Sequence, residues 1–385
     1  MRSPLTALHV VQPGDGGVAR VVTDVVGAQV DLGMRVAVAC PPGTPLAVAA
    51  AARGAEVHPW RAGREPGPRL VAESRRITEL VDLVRPDLVH AHSAKAGLAA
   101  RIAVRGRVPT VYQPHAWSFE AVDGLTGALA RRWERWAARW TDRVICVSEA
   151  ERRRGEQAGV RAPWTVVHNG VDAQRFTAGP GRAAARTGLG LPATAPLVVC
   201  VGRLCRQKGQ DTLLEAWYAV LDRVPHARLV LVGDGPDADA LRATARHGGL
   251  ERAVTFAGAV TDPAPWYRAA DLVVQPSRWE GMALAPLEAM AAARPVLLTD
   301  VDGARESLPP GHETHCLVRP GDPAALGTAL GALLRRPVLR EALGRQAQRY
   351  VQRRFDVRRA GAAIADVYRE VTAAPRHELR EPIPQ

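Results

Sequence analysis

The sequence predicts an α/β chain of two doubly wound parallel-sheet, Rossmann-like domains facing across a cleft. Three observations carry that prediction. The chain has 385 residues, enough for two separate cores. Short apolar runs alternate along it with stretches of helical apolar spacing, the pattern of repeated βαβ units. Runs such as LVVCVG (197–202) and LVLVG (229–233) are rich in Val and Leu with no polar alternation, as in strands buried on both faces.

In the first half, strands are expected at 5–12, 34–40, 87–91, 109–113, 143–147 and 164–167. In the second half they fall at 197–202, 228–233, 253–258, 271–275, 295–299 and 315–318. Helical spacing fills 17–32, 94–105, 209–223 and 237–247. Between 172 and 195 the pattern pauses in a stretch of Gly, Ala, Arg and Pro, which reads as the linker. The expected divisions are therefore 1–175, 176–355 and 356–385. The last holds a helix from about Phe355 to Val371 and a loose tail, PRHELREPIPQ.

Composition narrows the class. Hydrophobic residues make up 47% and charged residues 23%, as in an ordinary globular protein. No apolar run reaches the length of a membrane-spanning helix. The opening LTALHVV is strand-like and lacks a signal-peptide cleavage pattern, so a cytoplasmic protein is expected. Cys40, Cys146, Cys200, Cys205 and Cys316 are scattered, with no zinc spacing, and read as buried reduced thiols. The net charge of +12 comes from arginine spread along the whole chain, so no nucleic-acid partner is expected. A solvated basic surface is the favoured reading, and peripheral contact with anionic lipid at the inner face of a membrane is the second. The sequence leaves the oligomeric state open.

The most informative stretch is QPSRWEGMALAPLEAMAAARP (275–295). Pro286 fits the first position of a helix, where its missing N–H has no intrahelical partner. The amides of 281–285 would then be free to bind an anion. Glu280 and Glu288 flank those amides, and carboxylates suit sugar hydroxyls better than phosphate. Together the set suits a nucleotide-sugar. Lysine survives an arginine-rich composition only at Lys95 and Lys208. Lys208 follows Arg203 in VGRLCRQKGQ, in the loop after a strand, a phosphate-contact arrangement. Lys95 reads as an ordinary surface lysine.

Other candidates are individually weaker. PGDGG (13–17) follows the first strand and lacks the dinucleotide spacing GxGxxG, which disfavours a nicotinamide or flavin enzyme. LVGDGP (231–236) reads as a tight turn through Gly233 and Gly235, bordering a nucleotide pocket. His115, in YQPHAW, lies just past a strand end, where an imidazole could donate to a hydroxyl. His90 and His92 read as cleft-lining or packing residues with no metal spacing. HNGVD (168–172) puts Asn169 in a turn or a polar cleft wall. The acidic pairs Asp237/Asp239 and Asp300/Asp302 read as structural, so no metal is expected. In LARRWERWAARWTDR, Trp133, Trp136 and Trp140 share one helical face with arginines opposite. Core packing is preferred over membrane contact there.

In this order and over nearly the whole chain, these motifs resemble the retaining glycosyltransferases of family 4, with the GT-B fold. The resemblance rests on PGDGG, YQPHAW, VSE (147–149), HNGVD, VGRLCRQKGQ, LVGDGP, FAGAV (256–260) and the Glu-x7-Glu block EGMALAPLE. It implies that Arg203 and Lys208 bind the donor diphosphate and that Glu280 holds hydroxyls of the donor sugar. The amides around Met282, Ala283 and Leu284 would touch phosphate and sugar, Glu288 the ribose, and Val260 would lie near the base. It also implies that Gly16 and Gly17 close over the donor and that His115 sits near the anomeric carbon. Asn169 and Gly233 would line the cleft, and the last helix would cross back to the N-terminal domain. Met282 stands where family members commonly have Phe.

The implied activity is transfer of a sugar, with retention, from a nucleoside-diphosphate sugar, UDP- or GDP-linked, to a hydroxyl of a saccharide, lipid-linked or small-molecule acceptor. No further cofactor is implied. A GT-B nucleotide-sugar epimerase and a non-catalytic sugar-nucleotide-binding subunit are the alternatives.

Overall fold

A computed structural model describes residues 4–374. The tail PRHELREPIPQ lies outside them. The chain forms two compact units. One takes the chain up to Gly170 and resumes at Val357, and the other spans Val171–Asp356. The first change of unit thus comes at Gly170 rather than at 175.

The first unit holds a parallel sheet of seven strands. These are β1 (Thr6–Val11), β2 (Arg35–Cys40), β3 (Glu56–Pro59), β4 (Leu88–His92), β5 (Thr110–Gln113), β6 (Arg143–Cys146) and β7 (Trp164–Val166). Their order is β3-β2-β1-β4-β5-β6-β7. Winding reverses between β1 and β4, and loops at the carboxyl ends of those two strands border the crevice such folds use for ligands. Side chains such as Leu8, Ile77, Leu80 and Tyr112 fill the core at essentially zero exposure. Each contributes about 1.5–3 kcal/mol by leaving water. The closing helix, Val357–Ala373, belongs to this unit and packs on the helix Gly16–Asp31.

The second unit holds β8 (Leu197–Val201), β9 (Arg228–Val232), β10 (Val254–Gly258), β11 (Leu272–Gln275), β12 (Val296–Thr299) and β13 (Leu317–Val318). Their order is β10-β9-β8-β11-β12-β13, again parallel, with the reversal between β8 and β11.

Every expected strand is present, and β3 is an addition. Its sequence, EVHP, lies at a sheet edge and is only partly buried, so it carries neither an apolar run nor alternation. The expected linker is not bare chain. It carries the helices Ala173–Thr177 and Arg182–Gly188, and the buried Arg186 pairs with Asp271 at 2.7 Å. Alanine and arginine there serve helix and ion pair, which composition alone read as a pause.

Two further readings are corrected. Lys95 is buried, at 4% exposure, and pairs with Glu73 at 2.6 Å while donating to the Glu65 carbonyl. The tryptophan stripe is not core. The helix Gly124–Ala137 buries Gly127, Glu134 and Ala137, leaves Trp136 42% exposed, and has Trp133 and Trp140 only partly covered. The small residues sit inward because Glu134 must reach the buried Arg101, 2.7 Å away, and that rotates the indoles outward.

Candidate functional site

In the second unit, the loops at the carboxyl ends of β8, β9 and β11 lie against one another, and glycine backbone makes this approach possible. A Cβ on Gly233 would stand 2.1 Å from the Gly202 carbonyl, and one on Gly209 would stand 2.0 Å from the Pro276 carbonyl. Both glycines also have positive φ, +140° and +68°. Gly233 therefore seats the β9 turn against the loop of Arg203, and Gly209 seats Lys208 against the loop of Glu280. Arg278 locks the latter pair of loops with two hydrogen bonds to Asp211, 2.8 and 2.6 Å long.

The charged groups converge there. Lys208 Nζ donates to Glu280 Oε1 at 2.5 Å, and the Ser277 hydroxyl donates to the same oxygen at 2.7 Å. Gln275 donates in turn to Ser277 at 3.0 Å. The carboxylate is buried at 8% exposure and its charge is matched by the lysine. Arg203 is exposed and its guanidinium makes no hydrogen bond or ion pair among the described residues. A small pocket beside Glu280 is lined by Ser277, Ala283, Pro286, Thr299, Asp302 and Gly303.

The helix that follows runs Leu284–Ala291, with Ala283 as its N-cap. It begins two residues before Pro286, which is its third residue rather than its first. The missing proline N–H still falls among the orphan donors of the first turn, so the helix tolerates it. The free amides are those of Ala283, Leu284 and Ala285, fewer than the five expected. Met282, just before them, is buried. Glu288 accepts from the Tyr267 hydroxyl at 2.8 Å. Burial raises its pKa, and the Tyr267 hydrogen bond and the nearby Arg175 charge pull it back down. Val260 follows the edge strand β10 and is partly buried. Asp300 pairs with Arg305, and Asp239 with Arg242.

The remaining sequence candidates belong to the first unit. Gly16 and Gly17 are exposed at the start of the helix Gly16–Asp31, after β1. Asn169 is buried after β7, in a small pocket with Gln113, His168 and residues of the closing helix. His115 follows β5 with φ +57°, and Ala116 has φ +118°, a backbone that non-glycine residues seldom hold. Glu151, 1% exposed, fixes this turn by accepting from the Ala116 amide at 2.6 Å and from the Val147 amide at 2.7 Å. Those bonds give that carboxylate a structural role.

Behind His115 lies a chain of imidazoles that the sequence did not reveal. His9 Nε2 meets Gln29 Oε1 at 2.8 Å, His9 Nδ1 meets His92 Nε2 at 2.9 Å, and His92 Nδ1 meets His115 Nε2 at 3.1 Å. His90 Nδ1 meets the Tyr368 hydroxyl at 2.5 Å. Burial lowers His9 to about 4 and holds His90 and His92 well below their ordinary range. All three are therefore neutral. A carbonyl oxygen only accepts, so His9 donates from Nε2 and accepts at Nδ1. His92 then donates from Nε2 and accepts at Nδ1, and His115 donates from Nε2 and keeps a bare Nδ1. The orientation of the Gln29 amide thus sets the polarity of every imidazole to His115. The nitrogens of His9, His90 and His92 also lie within 4.8 Å of one another. Two of the three rings are hydrogen-bonded to each other and the third to Tyr368, so the network itself accounts for their meeting.

The signal for this chain was weak: His9 occupies a strand interior and alternates with nothing. Tyr267 and Ser277 were likewise missed: only the fold brings Tyr267 to Glu288, and Ser277, three residues before Glu280, carries no signal of its own.

Residues 15–175 match the family described as Glycosyltransferase Family 4, and residues 195–336 match Glycosyl transferases group 1. A lipopolysaccharide core biosynthesis mannosyltransferase of Rhizobium meliloti is 34% identical over 63% of this chain and 71% of its own length. A D-inositol 3-phosphate glycosyltransferase of Streptomyces coelicolor is 32% identical over 89% of this chain and 82% of its own. Among solved structures, Anabaena HepE in complex with UDP-glucose superposes with a TM-score of 0.84 at 26% identity, covering 95% of this chain and 100% of that one.

Proposed function

The chain belongs to the glycosyltransferases of family 4 and has the GT-B fold, and on that premise we propose that it moves a sugar, with retention, from a UDP-sugar to an acceptor hydroxyl. One observation carries the reading: Lys208 and Glu280 pair beside the switch point between β8 and β11, on the loops that also carry Arg203 and the N-terminus of the helix Leu284–Ala291. Breaking a sugar–diphosphate bond leaves negative charge on the departing phosphate. A lysine held by its loop, an uncommitted arginine and a helix N-terminus are fixed where they can stabilise that charge as it forms.

In this reading the second unit binds the donor. Lys208 and Arg203 hold the diphosphate, and Glu280 holds sugar hydroxyls near Met282. Glu288, steadied by Tyr267, takes the ribose, Val260 borders the base, and Gly233 lines the pocket. The first unit binds the acceptor. Gly16 and Gly17 leave backbone open to a close approach, and Asn169 lines its side. His115 serves at the reacting carbon; burial lowers its pKa to about 3, so the neutral ring offers its bare Nδ1 as a hydrogen-bond acceptor to a hydroxyl. The two oxygens of Glu151 serve backbone amides, which disfavours a covalent carboxylate nucleophile beside His115. Attack by the acceptor on the same face as the leaving group follows. The reading calls for no metal, because lysine, arginine and amides take the place of a cation. The relatives' names favour a saccharide, lipid-linked or small-molecule acceptor. The UDP-glucose complex of HepE supports a UDP-hexose as donor.

A thermal-shift panel of UDP-, GDP-, ADP- and TDP-sugars tests this. A UDP-sugar at a hundred times its Kd should stabilise the fold by about 2.7 kcal/mol. No rise in Tm with any nucleotide-sugar would sink the reading. Product analysis with and without acceptor separates transfer from epimerisation.

A further inference from the structure

The helix Gly124–Ala137, with the turn Ala138–Trp140, presents an apolar face that the second unit's chemistry does not use. Leu125 is 86% exposed, Leu129 66% and Trp136 42%. Three of the nine large exposed apolar side chains among the described residues therefore fall on one helix; of the others only Val71 and Leu83 share an element, at opposite ends of the helix Leu70–Val84. Their spacing, i, i+4 and i+11, puts them on one stripe, since a helix turns about 100° per residue. The indoles of Trp133 and Trp140 flank Trp136, with centroids 5.4 and 4.3 Å away.

Charge lies along one side of that stripe. Arg131, Arg132, Arg135 and Arg139 are all exposed, and the Arg139 guanidinium sits 4.4 Å from the Trp136 ring. The helix has one carboxylate, Glu134, and it is buried against Arg101. Within residues 124–140 the exposed surface is therefore apolar and cationic, and the exposed Asp123 stands just outside it at the N-cap. A two-fold contact with a second copy would set arginine against arginine. A surface offering both hydrocarbon and negative charge fits all the groups: leucines enter the acyl boundary, indoles sit at headgroup level, and arginines reach phosphates.

We propose that this face of residues 124–140 rests on an anionic lipid bilayer, holding the protein at the membrane surface without spanning it. No helix among the described residues is long and apolar enough to cross one.

The test is co-sedimentation of the full chain with vesicles of phosphatidylcholine alone and of phosphatidylcholine with phosphatidylglycerol, without donor or acceptor. Uptake is expected only by the anionic vesicles and should fall as salt is raised. Leu125→Ser with Leu129→Ser should lower the partition coefficient about tenfold per leucine. Arg132→Gln with Arg139→Gln should lower it about fivefold per arginine. These side chains are exposed, so Tm and circular dichroism should stay at wild-type values. The proposal is overturned by wild-type protein left in the supernatant, or by leucine variants that sediment like wild type. It is also overturned by a concentration-dependent dimer that the leucine variants abolish while no vesicles are bound.

Discussion

Across β1 and β4 of the seven-stranded sheet, His9, His90 and His92 sit fully buried and neutral, joined to Gln29, Tyr368 and, past the carboxyl end of β5, His115. Past the carboxyl ends of β8 and β11 in the six-stranded sheet, Lys208 and Glu280 meet as ions, with Arg203 open to water. Both sheets are parallel, and both reverse their winding beside these groups. The fold supplies an equivalent position twice, and the side chains decide whether it becomes a dry hydrogen-bonded relay or an anion cradle. The dry region gains order from each imidazole holding its neighbour's tautomer. The ionic one keeps charge ready for a ligand that brings opposite charge.

Acid should separate the two regions most. The folded-state pKa values of His9, His90 and His92 lie below the ordinary 6.5. Between 6.5 and the folded value the unfolded chain binds protons that the folded chain does not. Stability is therefore complete above pH 6.5 and is lost as pH falls, by about 1.4 kcal/mol per pH unit for each histidine. Hydrogen exchange at pH 5 should show β1 and β4 opening before β8 and β11. Equal protection in both sheets would remove the contrast.

Next comes Lys208→Ala. Loss of one charge-stabilising donor should lower kcat about 10²–10³-fold, and Tm should fall as well, because the buried Glu280 carboxylate loses its counter-charge. Glu288→Ala should also weaken turnover, chiefly through donor binding. Wild-type steady-state kinetics in both variants would show that the ionic edge is not the donor site.

The smallest effect is expected from Gln29→Leu. It removes the acceptor that ends the imidazole chain and leaves a buried His9 N–H unpaired, at about 1–3 kcal/mol. The 15N shifts of His115 should change tautomer population, while UDP-sugar affinity stays at its wild-type value. Unchanged His115 shifts would break the relay.

How much of this was legible varies by element. β8 and β9 are near-continuous aliphatic runs and could be read directly, whereas EVHP at the edge, β3, could not. Lys208 stood out because lysine is so scarce in this chain, and Glu280 and Glu288 because their spacing frames a helix start. Lys95 is equally scarce but reads as a surface lysine, because nothing local in the sequence records its buried pair with Glu73. The tryptophans had the spacing of a core stripe, but the helix is held through Glu134, so they face out.

By itself the sequence determined the alternation of strand and helix, the two parallel sheets and the ionic residues of the second, because hydrophobic period and residue type are local properties. Only the tertiary structure decided which face of the helix Gly124–Ala137 is buried, that Tyr267 meets Glu288, and that histidines far apart in the chain share protons. Those outcomes depend on which distant groups burial forces to satisfy one another, and no local pattern records that.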